Sequence, residues 1–159
     1  MEASLGEGNG GKVDIWRDSY LRYLGYANEL GESLRYRFPA LVVPSYLVSG
    51  AYVLGDTRDK AIAADDAGKS AVKAGADVLI WQSLASVAVP GSLTINLAVK
   101  AAKSAVAQLP HLPKHVRKWS PTMVGLGLIP LIIHPIDTAV DVAMDATVRP
   151  LIVEDESEP

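Results

Sequence analysis

The chain has 159 residues, of which 49% are hydrophobic and 21% charged, with a net charge of −3 and a mean hydropathy of +0.18. This charge balance excludes a broadly basic nucleic-acid binder, and the apolar content excludes disorder over the whole length. The absence of cysteine excludes disulfide scaffolds, thiol catalysis and Cys-ligated metal sites. The length is that of one domain.

Two segments precede the first long apolar run. Residues 1–12 are rich in glycine and are predicted to be disordered. Residues 13–38 place apolar side chains at helical spacing and charged side chains on the other side, which predicts one amphipathic helix. Trp16, Tyr20 and Tyr23 on the apolar side are the candidate interface residues. Such a helix either lies in a membrane surface or packs against other helices outside the bilayer.

Three uncharged runs follow, at 38–55, 78–99 and 119–136, if the histidine in the last is neutral. A bilayer core of about 30 Å needs about 17–25 helical residues, and charged residues flank each run. The sequence therefore predicts an all-α, multi-pass membrane helical bundle with three spans. The alternative is a soluble helical interaction module in which the runs form the core.

Residues 98–112 form either a short basic helix at the membrane interface or the start of a fourth span, since apolar residues line one face but two lysines lie beside it. With three spans, the N-terminal side and the 100–118 loop together hold ten Lys and Arg, against five on the other side. The positive-inside rule then places the N-terminus inside and the C-terminus outside, and a fourth span would move the C-terminus inside. One membrane domain is expected over 13–150, followed by an acidic disordered tail at 151–159.

His134 and Asp137 are the candidate functional residues, since they lie three apart, on one helical face, near the end of the third run. Ionisable groups at membrane depth often mark ion or proton paths. The simpler interpretation is that the span has ended and the carboxylate faces water or pairs with a basic segment. Pro113 separates His111 from His115 and breaks helical geometry, so no metal site is expected. No nucleophile with a base and an orienting partner is recognisable, and neither catalytic residues nor a cofactor are expected.

Four stretches carry a family resemblance: LRYLGYANELGESLR at 21–35, WQSLASVAVPG at 81–91, VRKW at 116–119 and GLGLIPLIIHPIDTAVD at 125–141. In order and spacing they resemble the mitochondrial fission process protein 1 family, also called the mitochondrial 18 kDa proteins. The resemblance covers roughly 13–150. None of the four stretches is a catalytic signature.

The resemblance implies a multi-pass protein of the inner mitochondrial membrane that is required for normal division of the organelle and influences fission–fusion balance and cell-death sensitivity. It also connects the family with the adenine nucleotide carrier and with proton leak, so the implied partners are the lipid bilayer and membrane proteins such as that carrier. The first hypothesis is therefore a non-enzymatic regulator that acts by scaffolding or partner binding. The second is a small transporter or proton-leak pathway that uses His134 and Asp137.

Overall fold

The computed structural model describes residues 15–153, and every element in this range is a helix. The all-α prediction is therefore confirmed. The chain begins with three short segments, which are α1 (Ile15–Asp18), a 3₁₀ helix (Tyr20–Tyr26) and α2 (Ala27–Ser33). A 3₁₀ turn at Pro39–Leu41 leads into the longer helices.

The longer helices form an antiparallel arrangement around α2. The first of them is α3 (Val42–Asp66). A continuous rod follows, made of α4 (Ala71–Gln82), a π-helical segment (Ser83–Ile95) and α5 (Asn96–Ala107). The last helix, α6 (Lys114–Val153), has 40 residues. It runs beside the rod, and α2 is held between α3, the π-helical segment and α6.

The turn between α3 and α4 is set by a glycine and a serine. Gly68 adopts a φ of +71°, which favours glycine, and its N–H donates to the carbonyl of Asp65 at 2.9 Å. Ser70 then caps α4, since its hydroxyl accepts from the N–H of Lys73 at 3.3 Å. The chain consequently reverses in a few residues, and α4 packs directly on α3.

A proline lies inside the π-helical segment. Pro90 has no N–H to donate, and the hydroxyls beyond it bond to carbonyls five residues earlier. Ser92 Oγ donates to Val87 O at 3.4 Å, and Thr94 Oγ1 donates to Val89 O at 2.8 Å. The helix therefore widens here instead of breaking, and such wide turns are often found at functional sites.

Two helices are long and apolar enough to cross a membrane: the rod Ala71–Ala107 and α6 over Lys114–Ile152. They contain the second and third predicted spans. The first predicted span, 38–55, covers the 3₁₀ turn and the apolar half of α3, and α3 is not among the two candidates. The structure forms no separate helix at 98–112, because the residues up to Ala107 continue the same rod.

The single amphipathic helix predicted for 13–38 is also wrong. The structure describes this segment from residue 15 onward, as three short helices, and the polar side of α2 faces the bundle. Glu29 and Glu32 are 0% and 1% exposed, whereas Leu30 is 48% and Tyr20 is 89% exposed. The polar side faces inward because its hydrogen-bond partners lie there, on α3 and the rod.

The predictions for the two ends of the chain fall mostly outside the described residues. Residues 1–12 and 154–159 lie there, so their predicted disorder remains a prediction. Within the described part, α6 continues to Val153, three residues into the tail predicted at 151–159.

Polarity is inverted relative to a soluble domain. Among the described residues, ten polar or charged side chains are buried against seven hydrophobic ones. Large apolar side chains such as Leu47, Leu131 and Val142 are instead more than 60% exposed. Soluble domains bury apolar and expose polar side chains, while an apolar exterior around polar contacts suits a lipid environment.

Gly125 and Gly127 on α6 offer a matched test of how α2 docks. A Cβ at Gly125 would lie 2.6 Å from Ser33 Oγ, 2.8 Å from Val99 Cγ2 and 2.9 Å from Ser33 Cα, whereas one at Gly127 would meet nothing within 4 Å. Because backbone cannot rotate away, we expect Gly125→Ala to destabilise the fold by about 1–3 kcal/mol. Gly127→Ala should leave stability unchanged or raise it slightly. Equal unfolding temperatures of the two purified variants in detergent would contradict this packing.

Candidate functional site

The buried polar side chains gather where α2 meets α3 and the rod. We call this cluster the polar centre, and its members are Asn28, Glu29, Glu32, Asp56, Gln82, Ser86 and Asn96. Six of these seven are joined by hydrogen bonds to other elements or to each other. The exception is Glu29.

Glu32 is the most fully bonded member of the polar centre. Arg35 donates to both of its carboxylate oxygens, at 2.7 and 2.9 Å, Asn96 Nδ2 donates at 2.7 Å, and the Tyr46 hydroxyl donates at 3.0 Å. Burial pushes the pKa of Glu32 upward, but the hydrogen bonds from these donors outweigh it and hold the pKa below its ordinary value. Glu32 is thus a buried carboxylate that ties α2 to α3 and α5.

A second chain of hydrogen bonds links α3 to the rod. Gln82 Nε2 donates to Asp56 Oδ2 at 2.7 Å, and Ser86 Oγ donates to Gln82 Oε1 at 2.6 Å. Lys60 Nζ lies 3.8 Å from Asp56 Oδ1, one turn further along α3. The charge of Asp56 is therefore balanced inside the bundle.

Asn28 docks α2 onto the widened part of the rod. Its Nδ2 donates to Val87 O at 3.2 Å, and a Cβ at Gly91 would collide with the same side-chain nitrogen. Only glycine at 91 lets the amide approach this closely. The glycine at 91 thus makes room for the amide group that binds the Val87 carbonyl.

Glu29 differs from its neighbours. It is fully buried, and neither carboxylate oxygen has a hydrogen-bond partner. Burial raises the pKa of Glu29 from its ordinary value of 4.5 to about 8, and the negative charge of Asp137 adds to the rise. Glu29 consequently holds a proton at neutral pH and can change charge near physiological pH.

The sequence-predicted pair, His134 and Asp137, is divided between two cavities. Asp137 lines a cavity of about 210 Å³ with Trp81, Gln82 and Ser86, next to the polar centre. His134 is exposed and lines a wider groove of about 770 Å³. Although the two share a helical face, the structure places only Asp137 beside the polar centre.

The three candidate interface residues are divided as well. The ring of Trp16 packs edge-on against Tyr52 at 5.6 Å between centroids, and a Cβ at Gly55 would collide with it. Tyr20 and Tyr23 are 89% and 69% exposed and stack on each other at 6.5 Å along the same groove as His134. Trp16 is therefore a packing residue, and the two tyrosines are the accessible ones.

The carboxylates beyond the third apolar run pair with an arginine of their own helix. Arg149 contacts Asp145 at 2.6 Å, Asp141 at 3.2 Å and, across to α4, Asp77 at 3.0 Å. Asp141 also accepts from Trp81 Nε1 at 2.9 Å. The basic partner of Asp141 and Asp145 is therefore an arginine of α6 itself and not a separate basic segment.

Sequence reasoning missed the polar centre. The helical spacing places Glu29 and Glu32 on the charged side of the predicted amphipathic helix, although Gln82 inside the second apolar run and Asn96 near its end signal a polar partner. Within residues 15–153, no group of three His or acidic side chains is arranged to hold a metal ion.

The fold and the polar centre define an all-helical protein with two candidate membrane-spanning helices and a hydrogen-bonded polar interior. The model of the mitochondrial 18 kDa protein family matches residues 67–144. The chain is 45% identical to mitochondrial fission process protein 1 of Homo sapiens, covering 89% of this chain and 90% of that protein. It is 44% identical to the Danio rerio protein of that name, covering 92% and 93%, and 40% identical to the one from Caenorhabditis elegans, covering 90% and 91%.

The chain therefore belongs to the mitochondrial 18 kDa protein family, and the resemblance carried by the four sequence stretches is confirmed. This is not a known enzyme family. No solved structure matches the chain.

Proposed function

We propose that this protein is a non-enzymatic, multi-pass protein of the inner mitochondrial membrane that regulates division of the organelle by binding partners. The membrane location is supported by the inverted polarity, with an apolar exterior around a polar centre in which six of the seven side chains are hydrogen-bonded. The role in mitochondrial division is supported by the name of relatives that match nearly the whole chain. By the family resemblance, membrane proteins such as the adenine nucleotide carrier are the proposed partners.

Three spans are proposed, with 38–55 as the first. Val43, Leu47 and Leu54 in the apolar half of α3 are exposed. An exposed apolar surface of this kind is stable against lipid tails rather than water. The basic side chains before α3 and between α5 and α6 then face the matrix, which is the equivalent of the inside. Protease access to N- and C-terminal tags, before and after removal of the outer membrane, tests span number and orientation together.

The accessible tyrosines are the proposed partner-binding surface. We expect Tyr20→Ser combined with Tyr23→Ser to change stability by no more than about 0.5 kcal/mol, because both rings are exposed. The double variant should nevertheless fail to restore normal mitochondrial network morphology in cells that lack the protein. Trp16→Ser is the contrasting variant, since it removes the ring packed on Tyr52 and should lower the unfolding temperature. Full rescue by the tyrosine double variant would contradict this assignment.

A transporter or proton-leak pathway is the second candidate function, and Glu29 is the observation that favours it. A buried carboxylate without hydrogen bonds, electrostatically coupled to Asp137 beside a cavity, is a group that can take up and release a proton. Proton flux into liposomes carrying the purified protein tests it. Flux that falls with Asp137→Asn and Glu29→Gln favours this function, and His134→Ala tests the residue in the neighbouring groove. Liposomes that conduct no more than empty ones would exclude it.

A further inference from the structure

The ends of α5 and α6 concentrate positive charge that the polar centre does not use. Lys100 and Lys103 lie on α5, and Lys114, Arg117 and Lys118 lie in the first turns of α6. The stretch from the first to the last of these residues contains no Asp or Glu. This end of the molecule is therefore strongly basic although the chain as a whole carries a net charge of −3.

A pocket of about 280 Å³ opens between the two helices at this end. Its lining residues are Lys103, Val106, Ala107, Lys114, Arg117 and Lys118. No carboxylate in the described part of the chain forms an ion pair with the four cations, since the ion pairs recorded there lie elsewhere. Arg117 Nε is buried without a hydrogen-bond partner. A buried cationic donor without a partner is costly, and an anion in the pocket would supply one.

The pocket lies where the charged loop meets an apolar run. Lys118 directly precedes the uncharged stretch 119–136. Trp119 is 42% exposed, and the Arg37 guanidinium lies 4.5 Å from its ring. Tryptophan is typical of the headgroup level of a membrane. One turn further along α6, Met123 is 63% exposed. A molecule bound here would meet cations at one end and apolar surface at the other.

We propose that this pocket binds the phosphate of an anionic phospholipid, with the acyl chains lying along the exposed apolar surface of α6. The Arg117 guanidinium offers forked donors that match phosphate oxygens, and the three lysines add point charges around it. Basic pockets between membrane helices on the matrix side are suited to such headgroups. The inference rests on the proposed membrane location.

The test uses the full chain purified in a neutral detergent and titrated with phosphatidylglycerol, with the unfolding temperature as the measured quantity. Binding to the folded state raises this temperature, and the rise grows with the ratio of the ligand concentration to Kd. Lys114→Gln, Arg117→Gln and Lys118→Gln together should weaken phosphatidylglycerol binding by about 100-fold, at about fivefold for each charge. The control removes three charges at the opposite end, with Arg58→Gln, Lys69→Gln and Lys73→Gln, and should retain wild-type affinity.

Two further ligands decide the source of the phosphate. Phosphatidylcholine at matched concentration should stabilise the protein much less, and inorganic phosphate should stabilise it hardly at all. Equal stabilisation by phosphatidylcholine, or equal loss in the control variant, would overturn the proposal. Equal stabilisation by inorganic phosphate would also overturn it, in favour of a free-anion site. If the triple variant does not fold, Lys103→Gln on α5 serves instead, with an expected loss of about fivefold. Because the titration needs no inserted protein, its failure would leave the membrane location to be tested separately.

Discussion

Glu32→Ala is expected to destabilise the fold by about 3–5 kcal/mol, which is the cost of leaving a buried charge network without its central member. The carboxylate is 1% exposed and accepts from Arg35, Asn96 and Tyr46, which lie on three different segments. Without it, the Asn96 amide loses an acceptor in a buried position, and α2 loses its bonds to α3 and α5. Thermal unfolding of the purified protein in detergent measures the loss.

Two comparisons make the Glu32 prediction specific. Glu32→Gln keeps the shape and one acceptor oxygen but removes the charge, so its loss should be smaller than that of the alanine variant. Acid should lower the stability of the wild type through the Glu32 carboxylate. Because the pKa of Glu32 is lowered in the folded state, its contribution to stability is present above about pH 4.5 and is lost below it. An unfolding temperature of Glu32→Ala equal to that of the wild type would contradict the role assigned to the polar centre.

Glu29→Gln, one turn earlier on the same helix, is expected to stabilise the fold at high pH, whereas Glu32→Ala destabilises it. The folded state binds a proton at Glu29 more tightly than the unfolded state does, with a pKa of about 8 against an ordinary 4.5. Wild-type stability therefore falls as pH rises between these values. Glutamine mimics the protonated side chain, so the variant should not lose stability in this way as the pH rises. Above pH 8 its free energy of unfolding should exceed that of the wild type by an amount that approaches about 5 kcal/mol.

The measurement is the difference in unfolding temperature between Glu29→Gln and the wild type at about pH 5 and about pH 9. The difference should be small at the lower pH and clearly positive at the higher one. Asp137→Asn provides a second check, because removing the negative charge that acts on Glu29 should reduce the pH dependence of the wild type. A variant that is less stable than the wild type at both pH values would show that Glu29 is charged and bonded in the folded state.

Much of the helical framework was predictable because it depends on local composition. The second and third apolar runs fall within the rod and α6, and Gly68, Pro110 and Pro113 lie in the turns that join the long helices. These features are encoded by neighbouring residues, so spacing and composition suffice to find them.

The polar centre was not predictable in the same way, because five of its seven members gain a partner from a distant part of the chain. Glu32 and Asn96 are 64 residues apart, and Asn28 and Val87 are 59 apart. Helical periodicity shows that Glu29 and Glu32 share a side, but it cannot show which side faces the bundle. In a lipid environment the polar side turns inward, which reverses the assignment that holds for a soluble helix.

The central claim is that the long apolar helices lie in lipid and that the polar side chains form the interior. Alkaline carbonate extraction of mitochondria tests it most directly, with a known integral protein and a known peripheral protein followed in the same samples. We expect the chain to remain in the membrane pellet with the integral protein. Recovery in the supernatant with the peripheral protein would contradict it and would instead support a soluble helical module.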